Sequence, residues 1–168
     1  MDTLDYFTLF GVEPIFTQDL AVLKARHLEL QQKMHPDNFA NALANERRLA
    51  TQYAAWVNEA YQILCDPLER AIYLLDQLGV DVDGETDTQM PNEFLSMQMD
   101  LHEELENISS ESERITFENK VNEAWQACEK GLAKALDSTP KGLSDARMWV
   151  RKMQFYAKLR QEAEVCLS

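Results

Sequence analysis

The 168-residue chain has little glycine or proline, five of each, and only three cysteines. So few chain breakers argue against a loop-dominated or low-complexity protein. With 45% apolar residues, the composition is that of an ordered, mainly helical chain. Cys65, Cys128 and Cys166 are far apart, odd in number and never spaced CxxC, so neither a zinc knuckle nor a redox motif is indicated. Small apolar core side chains are the expectation for all three. Basic residues are also scarce: 16 Lys and Arg face 29 Asp and Glu, a formal net charge of −13. That balance is a poor match to nucleic acid or to an anionic membrane. From Ala71 to Glu113 there is no Lys or Arg at all, which marks a solvated face or a partner site. No apolar run is long enough to span a bilayer. The opening "MDTLDYFTLFG" lacks the basic start of a secretory or mitochondrial leader, so a bacterial-type cytoplasmic location is expected.

What the chain does have is helical periodicity. Leu20, Leu23, His27, Leu30 and Met34 recur at steps of three and four, with Thr17 as the expected N-cap. Pro36 disfavours helical geometry at His35, so this helix should stop there. A second helix starts near residues 41–45 and carries Leu49, Tyr53, Trp56, Ala60 and Ile63 along one stripe. Asp66 and Pro67 then cap and open a shorter helix over 68–78, packed through Leu68, Ala71, Leu75 and Leu78 and ended by Gly79. With a short apolar helical turn at "LDYFTLFG", the first 79 residues read as a helical domain built on an antiparallel pair. Residues 80–91, acidic with Gly and Pro, read as a linker. Residues 92–168 read as a three-helix antiparallel bundle. Its expected stripes are Phe94, Met97, Leu101, Leu105 and Ile108; then Phe117, Val121, Trp125, Cys128, Leu132 and Leu136; then Ala146, Val150, Met153 and Ala157. On the last helix Met148, Phe155 and Leu159 fall off that line, and whether Met148 and Leu159 face the core or a partner stays open. There is no strand alternation.

Two features stand outside this core reading. The first is His35-Pro36-Asp37, at the tip of the helical hairpin. As a metal site it is weak, because only His27 and His102 could join it and neither has ligand spacing. As an acid–base or nucleophilic dyad it lacks a neighbouring Ser or Cys, and a convex tip offers no pocket. A structural turn and a docking tip both remain open. The second feature is on the helix over 92–108. At 100° per residue, Leu95 and Met99 lie roughly 100° and 140° from Phe94, away from the core stripe and rimmed by Ser96, Asp100, His102 and Glu103. They form either a small interaction patch or a second packing face.

The surroundings of the tip carry a resemblance. Helix, "HPDNF", helix and "NEAYQILCDPLERAIYLL" from Asn58 to Leu75 resemble a J-domain, and the chain as a whole resembles the HscB family of iron–sulfur co-chaperones. "DYFTLFG" at Asp5–Gly11, "DPLERAIYLL" at Asp66–Leu75 and "FLSMQMDLHEELENI" at Phe94–Ile108 carry it along nearly the whole length. The resemblance implies an all-α fold, a J-domain over 1–79 joined to a three-helix bundle over 92–168. It implies that the protein is not an enzyme but stimulates the ATPase of a heat-shock chaperone, with no cofactor and no metal. His35, Pro36 and Asp37, with Lys24, Arg26 and Lys33, would meet the chaperone, and Asp37 would pair with an arginine there. Leu95, Ser96, Met99, Asp100, Glu103 and Phe155 would hold the scaffold protein on which iron–sulfur clusters are built. Nucleic acid and membrane are not expected partners. A monomer is expected, with weak self-association through exposed apolar residues left open. Glu29 thins the basic patch, Asn38 stands where many relatives carry a basic residue, and His27 takes a position that is commonly aromatic. His27 is expected to be a satisfied, partly buried side chain. The alternatives are a J-protein that delivers another client, and a catalyst that uses His35 and Asp37.

Overall fold

The structure is a computed structural model and describes residues 5–84 and 90–166. Among these residues it contains seven α-helices, one 3-10 turn and no strand. The chain divides into two compact units between Leu74 and Leu75, inside a helix.

The first unit is built on α2 (Leu20–Lys33) packed against α3 (Ala44–Cys65), with α1 (Tyr6–Phe10) against both. Asp5 caps α1 by accepting from the Thr8 N–H at 3.0 Å, and Gly11 ends it in the left-handed region, φ 64°. Helix α2 starts later than the sequence suggests. Its N-cap is Asp19, not Thr17; the Asp19 carboxylate accepts from the Ala21 and Val22 N–H groups at 2.9 and 3.3 Å. A carboxylate two residues nearer the apolar run satisfies the free amides and suits the positive end of the helix dipole. Asp66 likewise caps α4 (Pro67–Gln77) through the Leu68 and Glu69 N–H groups, with Pro67 as its first residue.

The expected stripes of α2 and α3 are rotated in the folded unit. Leu23 is fully buried on α2, but Leu20 is exposed and His27, Leu30 and Met34 are only half-buried. On α3 the buried residues are Ala50, Val57, Ala60 and Leu64; Leu49 is exposed, and Tyr53, Trp56 and Ile63 are half-buried. Small Ala50 and Ala60 mark where neighbouring helices come close, and the larger side chains flank that line. On α4, Ala71, Leu74 and Leu75 are buried, whereas Leu68 is half-buried and Leu78 exposed. Arg70 is buried on the same helix. Its Nε donates to the Phe16 carbonyl at 2.6 Å, a guanidinium NH to the Leu64 carbonyl at 2.5 Å, and the group lies over the Phe16 ring. It joins the segment before α2 to the α3–α4 corner.

The second unit contains α5 (Asn92–Glu106), α6 (Glu111–Leu136) and α7 (Leu143–Val165), with α6 and α7 in the most extensive contact. All six stripe residues of α6 are buried as expected. On α7, Ala146, Val150 and Met153 are buried, Ala157 is half-buried, and Tyr156 and Leu159 take the remaining core positions. Leu159 therefore faces the core, and Met148 is half-buried. Gly131 on α6 lies under Trp149 of α7, and a Cβ there would come within 2.2 Å of the indole. Residues 80–84 do not run free. Val82 is buried, Arg151 donates to its carbonyl at 3.5 Å, and Arg147 donates to the Gly84 carbonyl. The rest of the expected linker, 85–89, lies outside the described residues. Only Cys128 is a buried cysteine; Cys65 is half-buried and Cys166 exposed, which corrects the expectation for those two.

Candidate functional site

The two candidate surfaces lie in different units. In the first, α2 ends at Lys33, Met34 closes its last turn with an N–H bond to Leu30 at 3.2 Å, and Pro36–Phe39 form the 3-10 turn. His35 caps that turn: its Nδ1 accepts from the Asp37 N–H at 3.3 Å. The Asp37 carboxylate lies 3.5 Å from the same nitrogen, and its side chain is 90% exposed. The turn therefore presents an exposed imidazole and a solvated carboxylate on either side of Pro36.

Lys24, Arg26 and Lys33 are all exposed, but they do not form one patch. At about 100° per residue, Arg26 and Lys33 lie within about 20° of each other on α2, and Lys24 is about 160° round from Arg26. Arg26 is also paired with Glu29 at 3.2 Å. His27 is half-buried, as expected. Its ring stacks on Tyr61 of α3 at 4.0 Å, interplanar angle 0°, and its Nε2 lies 2.9 Å from the Asn58 Oδ1. It thus joins α2 to α3 by a stacked ring and a hydrogen bond.

In the second unit, Leu95 and Met99 are 46% and 74% exposed on α5, while Phe94, Leu101 and Leu105 of the same helix are buried. Phe155 of α7 is half-buried, with its ring nearly perpendicular to Phe94 at 5.7 Å and to His102 at 5.5 Å. His102 lies between Phe94 and Met99 around the α5 axis, so its contact with Phe155 is on the side of α5 that carries Leu95 and Met99. Ser96, Asp100 and Glu103, all exposed, lie further round as an adjoining polar strip. The His102 Nδ1 is 4.0 Å from a Glu162 carboxylate oxygen. The contact between His102 and Phe155 was missed in the sequence, although its position three residues after Met99 and seven after Leu95 is the signal that could have found it. Among the described residues no group of three or more His, Cys, Asp and Glu is placed to hold a metal ion, and no helix is long and apolar enough to cross a membrane.

A helical hairpin with an exposed His-Pro-Asp turn, followed by a separate helical unit, defines a J-domain co-chaperone. The comparisons narrow this. A family model described as the HSCB C-terminal oligomerisation domain matches residues 90–164. The co-chaperone protein HscB homolog of Vibrio vulnificus (strain YJ016) is 40% identical over 172 residues, with 96% of each chain covered. Chaperone HscB from Vibrio cholerae superposes with a TM-score of 0.82 at 36% identity, covering 96% of both chains. The human co-chaperone protein HscB superposes with a TM-score of 0.90 at 27% identity, covering 98% of this chain and 83% of the other. The chain belongs to the HscB family of co-chaperones.

Proposed function

We propose that this protein is an adaptor of iron–sulfur cluster assembly in the bacterial cytoplasm. It binds the cluster scaffold protein through Leu95, Ser96, Met99, Asp100, Glu103 and Phe155. It docks on a specialised heat-shock chaperone ATPase through His35, Pro36 and Asp37, aided by Arg26 and Lys33 and, from the other flank of α2, by Lys24. The protein itself is not an enzyme; it stimulates hydrolysis by the chaperone beside the bound client. The proposed division is a J-domain over 1–79, a linker over 80–91 and a scaffold-holding bundle over 92–168.

The observation that carries this reading is the Asp37 side chain, 90% exposed on a turn whose backbone is already bonded to His35. A carboxylate left in water at the end of a rigid hairpin suits pairing with a partner's arginine, because little order remains to be gained on docking. Exposed Leu95 and Met99 beside an acidic strip suit a partner segment that is apolar with basic neighbours. The test is steady-state ATP hydrolysis by the chaperone, with this protein and the scaffold added singly and together. Synergistic stimulation that disappears in His35→Gln is expected. Equal stimulation with and without scaffold would leave a J-protein for another client, and no stimulation in any combination would reduce the triplet to a structural turn.

A further inference from the structure

We propose that Asn38 is a positioning residue for chaperone docking: its side-chain amide ties the His-Pro-Asp turn to the C-terminal end of α2. The inference rests on the docking role proposed for that turn and adds to it a residue that sets the turn's direction.

Helix α2 leaves its last carbonyls without intrahelical donors, as every α-helix does. The Asn38 Nδ2 supplies two of them, donating to the Gln32 carbonyl at 2.7 Å and towards the Lys33 carbonyl at 3.4 Å. Its two amide hydrogens allow both bonds at once. On its other side, the Asn38 backbone N–H donates to the His35 carbonyl at 2.9 Å. One residue is thus bonded both to the end of the helix and to the first residue of the docking triplet. Together with the packing of the turn on α3, these bonds set the orientation of His35 and Asp37 relative to the α2 axis. Neither docking side chain has a comparable anchor. The His35 and Asp37 side chains are 60% and 90% exposed, and the bond between them is internal to the turn. Without the Asn38 amide the turn keeps its internal bonds and its packing on α3 but loses its two side-chain bonds to the end of α2. Docking must then order it, and that ordering is subtracted from the affinity. Once docked, His35 and Asp37 occupy the same places, so the maximal stimulated rate is unaffected.

The test measures ATP hydrolysis by the chaperone against the concentration of the full-length protein, for wild type, Asn38→Leu, Asn38→Gln and His35→Gln. Leucine keeps the approximate size of asparagine and removes the donors; glutamine keeps the amide. The half-maximal concentration is expected to rise about fivefold in Asn38→Leu, the factor that one net hydrogen bond is worth. The maximal rate should stay at its wild-type value, the thermal midpoint should fall by no more than the few degrees that one hydrogen bond is worth, and Asn38→Gln should recover most of both losses. The Asp37 and Asn38 amides of the free Asn38→Leu protein should also exchange with solvent faster, by NMR. A wild-type half-maximal concentration in Asn38→Leu overturns the proposal. So does a loss that glutamine does not relieve, or one that a lowered thermal midpoint accounts for. His35→Gln separates the two readings: if it retains full stimulation, the docking role fails and the inference fails with it. If it abolishes stimulation while Asn38→Leu behaves as wild type, only the role of Asn38 is removed.

Discussion

Leu95 and Met99 are exposed at adjoining positions of a helix whose buried stripe runs elsewhere, so their methyl groups contribute little to the fold. In water such side chains are a standing cost that a partner can relieve. Replacing both with alanine is therefore expected to leave helical circular dichroism and the thermal midpoint unchanged. Scaffold affinity should fall by roughly 2 kcal/mol or more, which is about 30-fold, if both lie at the centre of the contact. Isothermal titration calorimetry against the scaffold reads this directly, and an unchanged affinity would remove these residues from the site. Phe155 is a different case. Its ring is packed edge-on against Phe94 and His102, so truncating it disturbs the bundle as well as the patch, and a loss of binding there would be ambiguous. Arg70 shows the opposite use of a charged residue. It is buried with its donors on the Phe16 and Leu64 carbonyls, a role that nothing in "DPLERA" as a string announces.

Helices α6 and α7 meet closely because α6 has a glycine where α7 has a tryptophan. Gly131→Ala tests this with two opposed magnitudes. In an exposed helix the change gains about 1 kcal/mol of propensity. Here the new Cβ would come within 2.2 Å of the Trp149 ring, and overpacking of that kind costs about 1–3 kcal/mol. Gly131→Ala is expected to lower the thermal midpoint. In a Trp149→Ala background the same substitution should raise it, because the clash with the indole is gone and the propensity gain stays. The same pair of helices shows what the sequence makes legible. On α6, Phe117 to Leu136 keep the helical period and are all buried, since that helix offers its large apolar residues on one broad face. On α3 the period is equally regular, yet Leu49, Tyr53 and Trp56 flank the core and Ala50 and Val57 occupy it. Periodicity weighs large side chains, whereas close helix contact selects small ones. The His-Pro-Asp turn was legible because its residues are contiguous. The Asn38 bonds to α2 and the contact between His102 and Phe155 were not, because each depends on where one element ends relative to another.

Over the whole molecule the charge is uneven: residues 1–74 carry six basic and ten acidic side chains, and residues 75–168 carry ten and nineteen. The second unit thus bears most of the excess negative charge, and it also contains two buried groups that resist ionisation. Burial raises the Cys128 thiol from its ordinary 9.0 to about 11 and the Tyr156 phenol from 10.0 to about 12. Both are acids held neutral in the folded bundle. Above pH 9 the unfolded chain releases the Cys128 proton while the folded chain retains it, so the unfolded state binds fewer protons and stability falls as pH rises. The loss from Cys128 should develop between pH 9 and pH 11, and that from Tyr156 between pH 10 and pH 12. Added self-repulsion of an already anionic chain acts in the same direction. Urea midpoints measured from pH 8 to pH 11 are expected to decline, and Cys128→Ala, which has no thiol to ionise, should decline less steeply over that interval. An equal slope in both proteins would remove Cys128 from the alkaline loss and leave it to Tyr156 and net charge. In the folded protein at pH 8, a soluble thiol reagent should modify exposed Cys166 first and leave Cys128 unmodified until the bundle opens.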